Sequence, residues 1–258
     1  MRTLQFTKAD ISKGHLMLVN PSHPLKNDIP ENQLVPVRPG AAQILLERQT
    51  AKMLLEVIAH LGCEREIVPI SGYRTMREQQ EIHAGSLHEH GEDFTKKYIA
   101  IPGCSEHQTG LAIDLAENRD VVDLIRPNFP LGGICGRFRE LSIQYGFIER
   151  YPTGREQITR IAHEPWHFRY VGVPHSEIMK ERALTLEEYT DYLKQFPYQG
   201  DCLRFKRNQR DFEIFYVPIQ DNKKAITEIP DNIPYQASGN YEDGVVVTLW
   251  KECYRGFL

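Results

Sequence analysis

The sequence lacks most of the features that would put it in a specialised class. Its 258 residues include only two tryptophans and five cysteines. The cysteines (Cys63, Cys104, Cys135, Cys202 and Cys253) are odd in number and scattered, with no Cys-x-x-Cys pair. That pattern fits neither a disulfide framework nor a thiolate zinc site, so reduced thiols are expected. Long apolar runs are missing too. The longest, Met53 to Leu61, is broken by Glu56 and His60, well short of the ~18 residues of a membrane span. The opening MRTLQFTKADISKGH has no apolar core of the signal-peptide kind, so a cytoplasmic protein is expected. Neither sign of charge dominates: 31 Lys+Arg against 35 Asp+Glu leave a net charge of −4. General nucleic-acid binding and a polybasic membrane anchor are therefore excluded. What is present is ordinary globular composition, 41% hydrophobic and 26% charged, enough for one or two domains.

No repeat or low-complexity tract interrupts the chain. Residues 1–40, rich in Pro, Asn and His, read as an irregular arm. Apolar positions from Ala41 to Leu61 follow helical spacing, with Gly62 as the stop. Ile67 to Ile70 reads as a strand delivering Ser71-Gly72-Tyr73-Arg74, and Met76 to His83 as a helix. Leu111 to Leu115 is a second strand. Ile134, Phe138, Leu141 and Tyr145 share a helical face closed by Gly146. Trp166 to Val171 is a third strand. Thr185-Leu186-Glu187-Glu188 opens a helix to about Gln195. Beyond residue 200, Phe212–Val217 and Val245–Trp250 are strand-like, with a turn signal at Ser238-Gly239-Asn240. The expected organisation is an α+β catalytic unit over 1–200 and a small β-rich extension over 201–258.

Three separated pieces could carry chemistry: Ser71-Gly72-Tyr73-Arg74, SEHQTGLAID over 105–114, and Glu164-Pro165-Trp166-His167. Each is unremarkable alone, because a histidine beside a strand is usually a structural residue and an aspartate after an apolar run usually caps a turn. Together they meet a strict requirement. Catalytic zinc needs three N/O protein ligands and an open position. It also needs a nearby carboxylate to move a proton and a cation to meet a developing oxyanion. His107, Asp114 and His167 can supply an N,O,N set, Glu164 the carboxylate and Arg74 the cation. The histidines of LHEHGED (His88 and His90, with His83 upstream) read as solvated, His163 as a possible neighbour tuning Glu164, and Cys104 as packing.

SEHQTGLAID and EPWH fit every fixed position of SxHxxGxAxD followed by ExxH, with SGYR upstream. On these residues the chain resembles the zinc D-Ala-D-Ala peptidases of the hedgehog/D,D-peptidase fold over about residues 10–195. Within them it is most similar to the VanXY type. The resemblance implies a small antiparallel sheet flanked by helices and one Zn2+ per chain on His107, Asp114 and His167. It implies Glu164 as general base and then acid, and Arg74 as polariser of the scissile carbonyl. It also implies Ser105 and Gln79 in the dipeptide pocket, with Gln80 the competing choice. The implied substrates are D-Ala-D-Ala and the muramyl pentapeptide precursor, and the implied role is glycopeptide (vancomycin) resistance. Glu106, Asp120 and Asp123 are candidates to meet the dipeptide's ammonium. Two other functions remain open: an L-Ala-D-Glu peptidoglycan endopeptidase, and a zinc-stabilised binding module without catalysis.

Overall fold

The structure, a computed structural model, describes residues 1–37, 44–221 and 223–252. Its contacts divide the chain into two compact units: Val19–Thr185, and Met1–Leu18 together with the chain from Leu186 onward. The boundary therefore falls at residue 185 rather than 200, and the first 18 residues belong with the C-terminal strands.

The Val19–Thr185 unit is built on a four-stranded antiparallel sheet in the order Ile67–Ser71, Ala112–Glu117, His167–Tyr170, Phe147–Glu149. Its register does most of the work of assembling a site. Ser71 lies opposite Asp114, and Asp114 opposite His167. Directly opposed residues project from the same face of an antiparallel pair, so three polar residues far apart in sequence become neighbours. The other face is apolar. Phe168, opposite Ile113, meets Phe138 of the helix Gly133–Ser142 edge-on at 5.2 Å between ring centroids. Phe129 closes the triangle at 5.3 Å from Phe168 and 5.8 Å from Phe138. As expected, the helical stretch ends at Gly146, which takes φ 94°.

Two helices differ from their sequence reading. Ala41–Gln43 lie outside the described residues. Leu45–Glu47 is a strand paired with Leu34–Pro36, and the helix occupies only Arg48–Leu61. The start is set by Glu47, whose carboxylate accepts the N–H groups of Gln49 and Thr50, two of the donors that every helix N-terminus leaves unmatched. Gly62, at φ 61°, ends it as expected. The helix at Met76 continues to Tyr98, with Gly91 (φ 80°) interrupting its geometry. It is mostly exposed and polar, so it carries no apolar stripe to reveal its length.

The second unit pairs strands Tyr235–Gly239, Gly244–Glu252, Arg210–Pro218 and Leu203–Arg207 in that antiparallel order. Arg2–Phe6 pairs with Ala225–Ile229, so the N-terminal arm is partly a strand. Only Leu4 and Phe6 of it are buried, too short an alternation to read as a strand. Leu4, Phe6, Phe215, Val217, Val245 and Val247 belong to one core. The turn expected at 238–240 begins later: Ser238 and Gly239 end a strand, and the Asn240 side-chain oxygen accepts the N–H groups of Glu242, Asp243 and Gly244. Among the described residues no helix is long and apolar enough to cross a membrane.

Truncating a fully buried aromatic removes its transfer energy and leaves a cavity. Phe138→Ala is expected to destabilise the protein by about 3–5 kcal/mol, measured as a fall in the denaturant midpoint. A loss below about 1 kcal/mol would mean that the aromatic triangle is not what holds the helix to the sheet.

Candidate metal centre and active site

Asp114 and His167 reach the polar face of the sheet through their register, and His107 arrives from a different element. It sits in the 3-10 turn Glu106–Thr109, closed by Gly110 at φ 68°. One ligand atom from each of the three residues falls within 4.8 Å of the others. Asp114 is the hinge of the group. One of its oxygens is 3.1 Å from His107 Nε2 and the other 2.9 Å from His167 Nδ1. His107 Nδ1 lies 2.7 Å from the carbonyl oxygen of Gly72. A carbonyl only accepts, so Nδ1 donates and the Nε2 lone pair faces the site. This explains the glycine in the Ser-Gly-Tyr-Arg piece. A Cβ on Gly72 would sit 2.4 Å from the Leu45 carbonyl oxygen, so a larger residue would have to shift the Gly72 backbone whose own carbonyl accepts from His107. Two imidazole nitrogens and a carboxylate oxygen, buried and converging, fit a divalent cation of the zinc type. Among the described residues no other group of three potential ligands converges in this way.

The remaining expected residues fall around this group. Arg74 is held at three points: Nε donates to Ser71 Oγ at 3.0 Å, Nη1 to Gln79 Oε1 at 3.1 Å and Nη2 to Asp114 at 3.3 Å. Gln79 is fully buried and spends its amide N–H on the Ala100 carbonyl at 2.8 Å. It stands behind Arg74 and is not among the residues lining the cleft. Ser105 does face the cleft, as do Arg74, Glu164 and Trp166. The cleft has a volume of about 290 Å3, near the lower end for small-ligand sites. Ile99, Leu124 and Ile161 are among its apolar lining residues. Glu164 is delivered by the turn before His167, whose N–H bonds the Glu164 carbonyl. One of its carboxylate oxygens is 3.9 Å from His167 Nδ1, close enough to face the metal position without joining the three ligands.

Burial sets the charge states here. It pushes the Glu164 carboxyl up to about 8, with the Asp114 charge adding to the effect. Burial and the Arg74 charge hold His107 down to about 4, so its ring is neutral. Burial acts the same way on His167, but Asp114, Glu106 and Glu164 outweigh it and raise that ring to about 9. The two imidazoles hold Asp114 well below the usual carboxylate range despite its burial. Before a cation arrives, a proton on His167 balances the acids, and a bound divalent ion would take over that role.

The flanking residues each have partners or surroundings that decide their place, and some match their sequence reading while others do not. His163-Glu164-Pro165-Trp166-His167 spells the His-Glu-x-x-His string of helical zinc peptidases. Here it is a turn running into a strand, and His163 points to Glu149 at 3.2 Å. Glu149 also pairs with Arg139, whose guanidinium donates to the Pro165 carbonyl at 2.9 Å. Arg139 and Glu149 thus hold the segment carrying Glu164, a role that only long-range pairing could reveal. The Asp123 carboxylate is spent on its own turn, accepting from Ile125 and Arg126. Asp120 is exposed and is not among the residues lining the cleft. Glu106 is fully buried against Arg150 and Arg169. Cys104 is buried, and its thiol is raised by that burial.

Residues 43–173 match the family model "VanY: D-alanyl-D-alanine carboxypeptidase". Over 181 residues the chain is 42% identical to the bifunctional D-Ala-D-Ala dipeptidase and D-Ala-D-Ala carboxypeptidase VanXYC of Enterococcus gallinarum, covering 70% of this chain and 95% of that one. Its structure superposes with TM-score 0.93 and 46% identity on the vancomycin resistance D,D-dipeptidase VanXYg, solved with a D-Ala-D-Ala phosphinate analogue, covering 97% and 99% of the two chains. A VanY D,D-pentapeptidase variant from the VanB-type cassette, solved with Zn(II), matches at TM-score 0.57 and 29% identity over 68% of this chain and 98% of its own. The chain belongs to the VanY family of D-alanyl-D-alanine carboxypeptidases and is a peptidase.

Proposed function

We propose that the protein is a zinc-dependent D,D-peptidase. In this reading it hydrolyses the D-Ala-D-Ala dipeptide and removes the terminal D-alanine of the muramyl pentapeptide precursor, as in glycopeptide resistance. The observation that carries this is the convergence of His107, Asp114 and His167 beside Glu164 and Arg74 in one small cleft. The relatives named above lend the substrate. His107 Nε2, an Asp114 oxygen and His167 Nδ1 would hold one zinc ion per chain. Zinc bound there supplies Lewis-acid polarisation and acidifies water. Glu164 takes the proton of the attacking water on its carboxylate and passes it to the leaving amine nitrogen. Arg74 presents its guanidinium N–H groups to the oxygen of the scissile carbonyl as charge develops on it. Ser105 donates a hydrogen bond to the substrate's main chain. Both substrates with D-Ala-D-Ala ends occur in the cytoplasm, which is where we place the activity.

The first test is D-alanine release by the purified, zinc-loaded enzyme. Both the free dipeptide and the pentapeptide precursor should be cut, with weaker action on analogues ending in D-Ala-D-Ser or D-Ala-D-lactate. If neither is cut while an L-Ala-D-Glu stem peptide is, the endopeptidase reading replaces this one. If the protein binds zinc but hydrolyses none of them, it is a binding module.

The second test separates the proton carrier from the ligands. Glu164→Gln should keep its zinc, by elemental analysis, while kcat falls by at least ~10²-fold. An unchanged kcat would assign the proton to another group.

The third concerns the cation. Arg74→Lys keeps the charge but loses the planar fork that reaches Ser71, Gln79 and Asp114 together. A fall in kcat/KM of ~10²–10³-fold is expected. Gln79→Leu should reproduce part of it, up to ~10²-fold, by loosening the same guanidinium. Wild-type kinetics in Gln79→Leu would show that Arg74 needs no support from behind.

A further inference from the structure

Behind the ligand histidine His167 lies a buried ionic group that the proposed reaction does not use. Glu106 is 1% exposed, Arg150 1% and Arg169 0%. One oxygen of Glu106 lies 2.7 Å from Arg150 Nε and 2.9 Å from Arg169 Nη1. Its other oxygen, Oε2, faces His167 Nε2 at 3.6 Å. Both of these atoms are buried, and neither has a hydrogen-bond partner in the structure. An acceptor and a possible donor, each lacking a partner and facing one another, need less than 1 Å of approach to form a normal hydrogen bond. Leaving either atom unmatched inside the protein would cost about 1–3 kcal/mol.

The surroundings set the direction of that bond. Arg150 Nε and Arg169 Nη1 both lie against Glu106, at 2.7 and 2.9 Å, and two guanidinium groups at that range favour the ionised carboxylate. An ionised carboxylate only accepts, so the proton belongs on His167 Nε2. The neutral ring then has its lone pair on Nδ1, the nitrogen that lies 2.9 Å from Asp114 and faces the other two ligands. His107 shows the same logic with a different acceptor, its Nδ1 held by the Gly72 carbonyl.

We propose that Glu106, clamped by Arg150 and Arg169, is a positioning residue that accepts the His167 Nε2–H and so fixes the tautomer and ring orientation in which Nδ1 can bind the metal. Carboxylates placed behind ligand histidines commonly contribute 10–100-fold to metal affinity. Glu106 also balances charge. Its carboxylate lies against both guanidinium groups and so offsets part of their charge beside an incoming cation. This inference rests on the metal-centre reading above, and its test separates the two.

The experiment measures zinc dissociation constants by chelator competition for the full-length wild type and for Glu106→Gln. It also records the imidazole 15N shifts of His167 in the zinc-loaded proteins. Because Glu106→Gln leaves both arginines buried, the charge-balanced double variant Glu106→Gln/Arg150→Gln is made alongside, and folding is checked by circular dichroism. The dissociation constant should rise 10–100-fold in whichever variant folds, and the wild-type spectrum should show the proton on Nε2. A purely structural role would lower the melting temperature, yet it would leave the zinc affinity of folded protein unchanged. A folded variant with a dissociation constant within twofold of wild type, or a wild-type His167 protonated on Nδ1, overturns the proposal. Failure of the wild type to bind zinc at all would instead overturn the metal-centre reading on which it rests.

Discussion

The Asp114 carboxylate is the contact on which the site depends. It lies between two imidazoles and a guanidinium, 2.9 Å from His167, 3.1 Å from His107 and 3.3 Å from Arg74. Those three partners come from a strand, a 3-10 turn and the loop that follows a strand. A buried carboxylate is costly unless charges and hydrogen bonds surround it. The strand register that places Ser71 and His167 at its sides therefore serves folding and chemistry together. The same sheet that aligns Phe168 with the aromatic triangle on one face aligns Asp114 and His167 on the other, since side chains alternate along a strand. Packing on the apolar face thereby fixes the spacing of the polar one.

Around Asp114 the charges form layers rather than isolated pairs. Arg74, Asp114 and Glu164 line the cleft, and Glu106, at its buried edge, lies between His167 and the pair Arg150 and Arg169. His107 is neutral, held by a backbone carbonyl, and His167 sits among three acids. The two histidines are thus prepared differently for one task. One is oriented by main chain that a glycine allows to come close. The other, in the proposal above, is oriented by a carboxylate that two arginines flank. Backbone and side-chain acceptors are both common behind metal-binding histidines.

Much of this was legible in the chain itself, and the gaps have physical causes. SEHQTGLAID and EPWH are local strings, and a strand register turns them into neighbours, so the ligand candidates could be named from residue types and spacing. Gln79 could not be placed, because whether an amide faces a cleft or braces an arginine depends on helix phase and on the Ala100 carbonyl 21 residues away. The roles of Arg139, Glu149 and Glu106 stayed hidden for the same reason: their partners lie from 10 residues away, for Arg139 and Glu149, to 63 for Glu106 and Arg169. The His-Glu-x-x-His string at 163–167 shows the opposite hazard. Its spacing suits a helix face, but Pro165 sits inside it and the backbone forms a turn and a strand, so the first histidine is directed to Glu149. A motif carries chemistry only in the backbone that presents it.

The cost of Glu164 bears on whether the cleft catalyses or only binds. Burial pushes its carboxyl up to about 8, and the nearby Arg74 charge offsets this only in part, so ionising it at neutral pH works against the fold. A module that merely held a metal would gain nothing from this group, because three ligands are already present without it. An apolar side chain there would be no worse for stability. A carboxylate kept in a desolvated position, facing the open side of a ligand set and lining the same cleft as Arg74, is the arrangement expected of a group that must both take and return a proton. The energetic penalty is itself an argument for the catalytic reading, since strain and desolvation tolerated at one point in an otherwise well-packed core concentrate where function requires them.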